Sequence, residues 1–187
     1  MRYKPERKEE THRRIIETAS REFREKGVDG VGIANLMKKL ELTHGGFYAH
    51  FENKDDLVRE SVSKAFDEVD QRIDKVLEER GPAGVIQVYL SIEHVENTAV
   101  GCPVPALASE MSRQNSSVAS VFEARMHRRL AKLAAVLPGE SSIERVNLAY
   151  FILSSMVGAV TIARSTSDPA ERQALLYSTQ RRLLKMI

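Results

Sequence analysis

The chain has one cysteine, Cys102, and no tryptophan in 187 residues. A lone cysteine rules out an intrachain disulfide and suits a reducing compartment, although a bridge between two chains stays open. Aromatic residues are scarce, at 6%. The N-terminus, MRYKPERKEETHRR, lacks the apolar run that a secretory signal needs, so the cytoplasm is the expected location. Catalytic signatures are missing as well. There is no G-x-S-x-G elbow, no P-loop and no H-E-x-x-H, and a single cysteine cannot form C-x-x-C. The stretch GVDGVG has its glycines in the wrong order for a dinucleotide fingerprint and lies between helical segments, so it reads as a turn. The five histidines, His12, His44, His50, His94 and His127, include no i,i+3 or i,i+4 pair, which argues against a local helical metal site; neither metal nor cofactor is implied. No stretch alternates apolar and polar residues with period two over a useful length. What remains is the pattern of an all-α protein of about nine helices and no enzyme signature.

Apolar residues make up 42% of the chain and charged residues 29%, a profile that excludes disorder and allows a real core. The charge is uneven: residues 1–50 hold 11 Lys and Arg against 8 Asp and Glu, a net of +3, and the rest of the chain nets −1. Within that basic end, Ile15, Ile16, Ala19 and Phe23 recur at helical spacing over 9–26, ending at Gly27. Ile33, Leu36, Met37 and Leu40 mark a second short helix. Thr43 is placed to cap a third from His44 to about His50, with Phe47 and Phe51 as its i,i+4 apolar pair. Asn53, followed by acidic residues, caps a long helix that ends near Arg80, with Pro82 starting the next. At 1.5 Å per residue that helix is about 40 Å long, enough to link two domains.

Farther on, VIQVYLSIEHV is apolar on most sides and predicts one buried helix, while the two prolines of VGCPVP mark a break. Residues 115–137 are amphipathic. SSIE at Ser141–Glu144 and DPAE at Asp168–Glu171 read as capping boxes for the last two helices. The run from Val146 to Ala163 is long and apolar, but Asn147, Ser154, Ser155 and Thr161 interrupt it and charges flank it closely. It predicts an interface helix and no membrane partner. Ser155, Gly158 and Ala159 would let a partner helix approach, with Leu175, Leu176, Leu183 and Leu184 beside it, forming a four-helix dimer bundle.

The first fifty residues have the layout of a helix-turn-helix, whose second helix enters the major groove by its N-terminal end. That end is THGG. Two glycines strip it of side chains, which lets the backbone lie close to a duplex and leaves N–H groups for a phosphate. The stretch IANLMKKLELTHGGFYAHFENKDDL resembles the DNA-binding region of TetR-type transcriptional regulators, the likeness covering about residues 15–57. Glu41 stands where that family usually has a turn glycine, and Gly32 where Ser or Thr commonly caps the second helix.

The resemblance implies that Thr43, Tyr48 and Lys54 hold phosphates and that His44, Gly45, Gly46 and His50 face or approach bases. It implies a DNA-binding domain over 1–53, a connecting helix over 54–80, and a ligand-binding and dimerisation domain over 81–187. The expected function is that of a ligand-responsive repressor. Its partners would be a palindromic double-stranded operator, a second copy through the last two helices and an unidentified small-molecule effector. Tyr89, His94, Met111, Phe122, Met126, Tyr150 and Met156 are candidate pocket residues. Cys102, at the break before a helix, is a candidate pocket residue and a candidate thiol sensor. The rival reading is a helical carrier or enzyme whose N-terminus only resembles a DNA reader.

Overall fold

Helical periodicity becomes helix throughout residues 5–187, the part of the chain that the computed structural model describes, and none of these residues lies in a strand. Helix α1 (Pro5–Lys26) opens earlier than the apolar spacing predicts, at Pro5 rather than Glu9. It buries Ile15, Ala19 and Phe23 and ends at Gly27, whose φ of 75° suits glycine. Helix α2 (Ile33–Lys39) starts at Gly32 without a side-chain cap. Its exit is a Schellman motif: Leu42 N–H donates to Met37 O (2.9 Å) and Glu41 N–H to Lys38 O (3.0 Å). Glu41, at φ 60°, is the one non-glycine with positive φ among the described residues.

The third predicted helix forms, but as a 3-10 helix, His44–Ala49, and not as α. Its bonds span three residues, Gly46 N to Thr43 O (3.0 Å) and His50 N to Phe47 O (2.9 Å). A six-residue segment with two glycines gains little from an extra α turn, so packing sets its pitch. Phe47 and Phe51 are both buried and stack with ring centroids 5.3 Å apart.

Helix α3 (Lys54–Tyr89) is capped by Asn53, which accepts from Asp56 N (3.0 Å), and it breaks at Gly81 (φ 63°, ψ −171°). The predicted stop near Arg80 and restart at Pro82 therefore hold. The expected single helix over VIQVYLSIEHV does not. The chain leaves the helix at Leu90, and Ser91 caps a new short helix, α4 (Ile92–Glu96), by accepting from His94 N (3.2 Å). Gln87 and Val88 are exposed, so this segment is apolar by composition but buried on one side only.

A 3-10 turn (Thr98–Val100) leads to α5 (Pro103–Met111), whose two prolines lie in the first turn, where no N–H is needed. Then follow α6 (Ser116–Val136), α7 (Ser142–Ser165) and α8 (Pro169–Leu183). Ser141 and Glu144 make the predicted capping box; Asp168 caps α8 through Ala170 N alone (2.8 Å). Among the described residues there are eight α-helices, and the break at Gly81 makes nine helical segments of them.

A single apolar core runs from Ile15 and Phe47 in the N-terminal helices to Ile152 and Leu183 in the last two. Helix α7 buries Ile152, Leu153, Met156 and Val160 on one side. On the other, Phe151 and Ile162 are each 54% exposed and border a groove shared with Leu175 of α8. Among the described residues, α7 alone is long and apolar enough to cross a membrane, and 39% of its apolar window is buried inside this protein. Leu176 and Leu183 turn inward, whereas Leu175 and Leu184 are half-buried, so only part of the predicted leucine set faces outward.

Candidate nucleic-acid interface and effector cavity

The 3-10 helix presents a bare leading end. Thr43 is exposed and caps it, its Oγ1 accepting from Gly46 N (3.2 Å). His44 is exposed and meets the edge of Tyr48, with centroids 5.9 Å apart. A Cβ built on Gly45 has nothing within 4 Å, so nothing in this chain requires glycine there. Gly46 differs: a Cβ would lie 3.3 Å from Thr43 Oγ1 and would push on the cap itself. Tyr48 is 60% exposed on the same short helix.

Two of the predicted contact residues turn inward. His50 is half-buried, 5.8 Å from the His12 ring, and its Nδ1 is buried without a partner. Burial first, then His12 and Lys8, holds its pKa below the ordinary value, which favours a neutral ring. Lys54 donates from Nζ to Val28 O (2.6 Å), so one of its three donors is engaged inside the reader. Val28 N in turn donates to Glu110 Oε2 of α5 (2.7 Å). Gly27 makes room for this, since a Cβ there would meet that carboxylate at 2.3 Å. The short loop after α1 is thus held from α3 and from α5.

In the C-terminal half, Tyr89, His94 and Cys102 come together on one wall of a cavity of about 520 Å³ between α3 and residues 91–102. Met156 borders a much smaller space, about 40 Å³, behind Tyr89 and Arg129. The other four pocket candidates line neither. Met111 is core, Phe122 packs edge-on to Phe66 (5.4 Å), Met126 lies half-buried against the core, and Tyr150 is exposed on the outer side of α7. Helical spacing marks such side chains as buried but cannot say against what.

Arginines that the sequence reading did not single out organise this cavity. Arg24 of α1 donates to Gly101 O (3.1 Å) and to Glu68 (2.8 Å), and Arg72 of α3 donates to Val100 O. Arg164 of α7 donates to Val95 O and His94 O (3.2 and 3.1 Å). Arg129 of α6 donates to Cys102 Sγ (3.0 Å) and, through Nη2, to Asp70 (2.6 Å). Four helices thus grip one short segment. A legible signal did exist for part of this: Arg125, Arg129 and Lys132 on α6 face Asp67, Asp70 and Asp74 on α3. Both sets repeat at helical spacing with opposite charge.

His94 is the polar centre. Its Nδ1 donates to Tyr89 O (2.7 Å), and its Nε2 accepts from Cys102 N (3.0 Å), an arrangement that only the neutral ring satisfies. Burial accordingly pushes its pKa down to about 4. Tyr89 is 5% exposed, and its hydroxyl is buried beside the Cys102 thiol. Burial first, and then Cys102, pushes its pKa well above the ordinary value.

A helix-turn-helix with a bare, exposed leading end is thus joined by a long helix to a helical half that holds a cavity. Residues 15–61 match the model for bacterial regulatory proteins of the tetR family. Over that stretch the chain is similar to TetR-family transcriptional regulators. It is 34% identical over 53 residues to the biofilm operon icaADBC HTH-type negative transcriptional regulator IcaR of Staphylococcus epidermidis. That stretch is 28% of this chain and 29% of IcaR, so it spans less than a third of the curated relative's length. The fold is similar along the whole chain to a TetR-family regulator from Cytophaga hutchinsonii (TM-score 0.81, 17% identity, 100% of this chain and 98% of that one). It is also similar to AibR, solved with isovaleryl coenzyme A and operator DNA (TM-score 0.66, 14% identity, 94% and 99%).

Proposed function

We propose that the protein is a homodimeric, effector-responsive repressor that acts in the cytoplasm on a palindromic operator. Two copies would join through the apolar outer faces of α7 and α8, where Phe151, Gly158, Ala159 and Leu175 border a groove. The two reading ends would then meet successive major grooves about 34 to 36 Å apart. Thr43 and Tyr48 hold phosphates, His44 reads a base edge, and Gly45 and Gly46 allow the backbone to approach. Lys54 adds a phosphate contact with the donors that Val28 leaves free. His50, packed against His12, sets the helix in place more than it reads a base.

The observation that carries this reading is the pairing of an exposed Tyr48 with a Gly45 that the fold itself does not need. The effector, a small molecule or a reagent of the Cys102 thiol, would occupy the cavity beside α3. Its arrival shifts α3 and the segment gripped by Arg24, changing the spacing of the two reading ends.

The test is duplex binding. Operators selected from a random pool should bind with an affinity that falls steeply with salt. Gly45→Leu should leave stability within about 0.5 kcal/mol. It should weaken operator binding about 100-fold or more, because barring the close approach forfeits several contacts worth about 1–3 kcal/mol each. Normal binding by Gly45→Leu would overturn the assigned reading end. A wild-type protein without salt-dependent duplex affinity would favour the helical carrier or enzyme.

A further inference from the structure

A seam joins the cavity-bearing half to the reader where α5 gives way to α6. Glu110, in the last turn of α5, accepts from Val28 N–H (2.7 Å), and Asn115, the cap of α6, donates from Nδ2 to Asp55 in the first turn of α3. Lys54, the neighbour of Asp55, donates from Nζ to Val28 O (2.6 Å). Val28 is thereby fixed three ways: its side chain is 2% exposed in the core, a carboxylate holds its N–H and an ammonium holds its carbonyl. The approach is close enough to decide a residue. Gly27 takes φ 75°, and a Cβ there would meet the Glu110 carboxylate at 2.3 Å.

We propose that Glu110 is a positioning residue for the DNA contact made by Lys54: from the cavity-bearing half it fixes Val28, whose carbonyl aims the lysine ammonium at a phosphate. This role deepens the regulatory reading above and rests on it. An ammonium has three donors, and Lys54 uses one on Val28 O, so two remain for a phosphate. A lysine on a free four-carbon stem loses rotamer freedom when it meets a duplex, whereas one already held by a carbonyl has lost it beforehand. That advantage lasts only while the carbonyl stays in place. Inside its own loop it has a long bond from Val31 N (3.4 Å), so the short, charge-assisted bond from Val28 N–H to Glu110 is the stronger anchor. The same helix borders the cavity at its other end, through its cap Cys102, so the anchor lies on an element that also bounds the effector site.

The sign of the effect separates this role from bulk electrostatics. Removing a carboxylate lowers the repulsion of phosphates and by charge alone strengthens DNA binding. Removing Glu110 should weaken it, because Lys54 loses its aim.

The experiment compares the full-length wild type, Glu110→Ala, Glu110→Gln, Lys54→Ala and the Glu110→Ala, Lys54→Ala double variant on one selected operator duplex, by fluorescence anisotropy across a range of salt. Urea denaturation first establishes that each protein is folded at the assay temperature. Glu110→Ala should weaken binding about tenfold, the equivalent of one charge-assisted bond. It should also make the slope of log K against log salt shallower by about one, as Lys54→Ala does. The double variant should lose no more than either single one. Glu110→Gln keeps an oxygen that accepts from Val28 N–H, so its affinity and slope should stay close to those of the wild type. A Glu110 that only braced the fold would lower the urea midpoint and leave the slope alone. Hydrogen exchange at Val28 N–H reads the anchor without DNA, and Glu110→Ala should speed it about tenfold or more. An unchanged exchange rate or salt slope in Glu110→Ala, tighter binding by that variant, or fully additive losses in the double variant would overturn the role of Glu110 alone. A wild type without salt-dependent duplex affinity would overturn the regulatory reading and this role with it.

Discussion

The reader and the cavity-bearing half are held together by different forces. Around the reading end, Phe23, Leu36, Met37, Phe47 and Phe51 pack aromatic against aliphatic surface as the main contact. Around the cavity, arginines from four helices reach inward to the carbonyls and the sulfur of residues 94–102. An apolar core has few alternative arrangements of similar energy, so the reader behaves as a rigid block. A network of directed polar bonds can be remade around a new group, which suits a region that must answer an effector.

The largest effect should come from breaking the apolar side of this contrast. Phe47 is fully buried, and Phe47→Ala should cost about 3–5 kcal/mol, read as a fall in the urea midpoint with loss of operator binding. Next is the polar side. Asp70→Asn leaves the Arg129 cation without its carboxylate and should cost about 3 kcal/mol. If the network serves response more than stability, the double replacement Asp70→Leu with Arg129→Met should recover most of that loss. A double variant as unstable as the single one would make the arginine cluster an ordinary stabilising core.

The contrast also has a pH signature. In the folded protein His94 stays neutral down to about pH 4, whereas in the unfolded chain it takes up a proton near pH 6.5. Between those values the unfolded state binds more protons, so stability is fully present above about pH 6.5 and is lost as pH falls toward 4. The loss should amount to about 2 to 3 kcal/mol. It should disappear in His94→Gln, as checked by denaturation at a series of pH values.

The two halves were not equally legible in the sequence. The reader is written locally: caps at Thr43 and Asn53, an i,i+4 aromatic pair and two glycines lie within a dozen residues, and each acts on near neighbours. The details that the sequence did not show there, a 3-10 pitch and an inward His50, depend on how the short helix packs on α2 and how His50 meets His12. The cavity is written at long range. Arg24 meets Gly101 and Arg129 meets Cys102 across 77 and 27 positions, and no periodicity within one helix reports such a pairing. Helical spacing could mark Met111 and Phe122 as buried, but not separate core from cavity wall.

Glu41 gives the smallest prediction and the finest test of the reader's rigidity. A Schellman exit asks its residue for a left-handed backbone, and Glu41 adopts one, at φ 60°, where glycine would do so without strain. For a residue with a Cβ that conformation costs about 1–2 kcal/mol. Glycine would remove the strain but would add freedom to the unfolded chain, worth about 0.5–1 kcal/mol against it. Glu41→Gly should therefore stabilise by about 0.5–1 kcal/mol, a rise of about 1–4 °C in Tm for a chain of this size. Glu41→Gln removes the charge and keeps the strain, so it should leave Tm within about 1 °C. If Gln stabilises as much as Gly, charge near the reading end is the liability at this turn and the backbone is not.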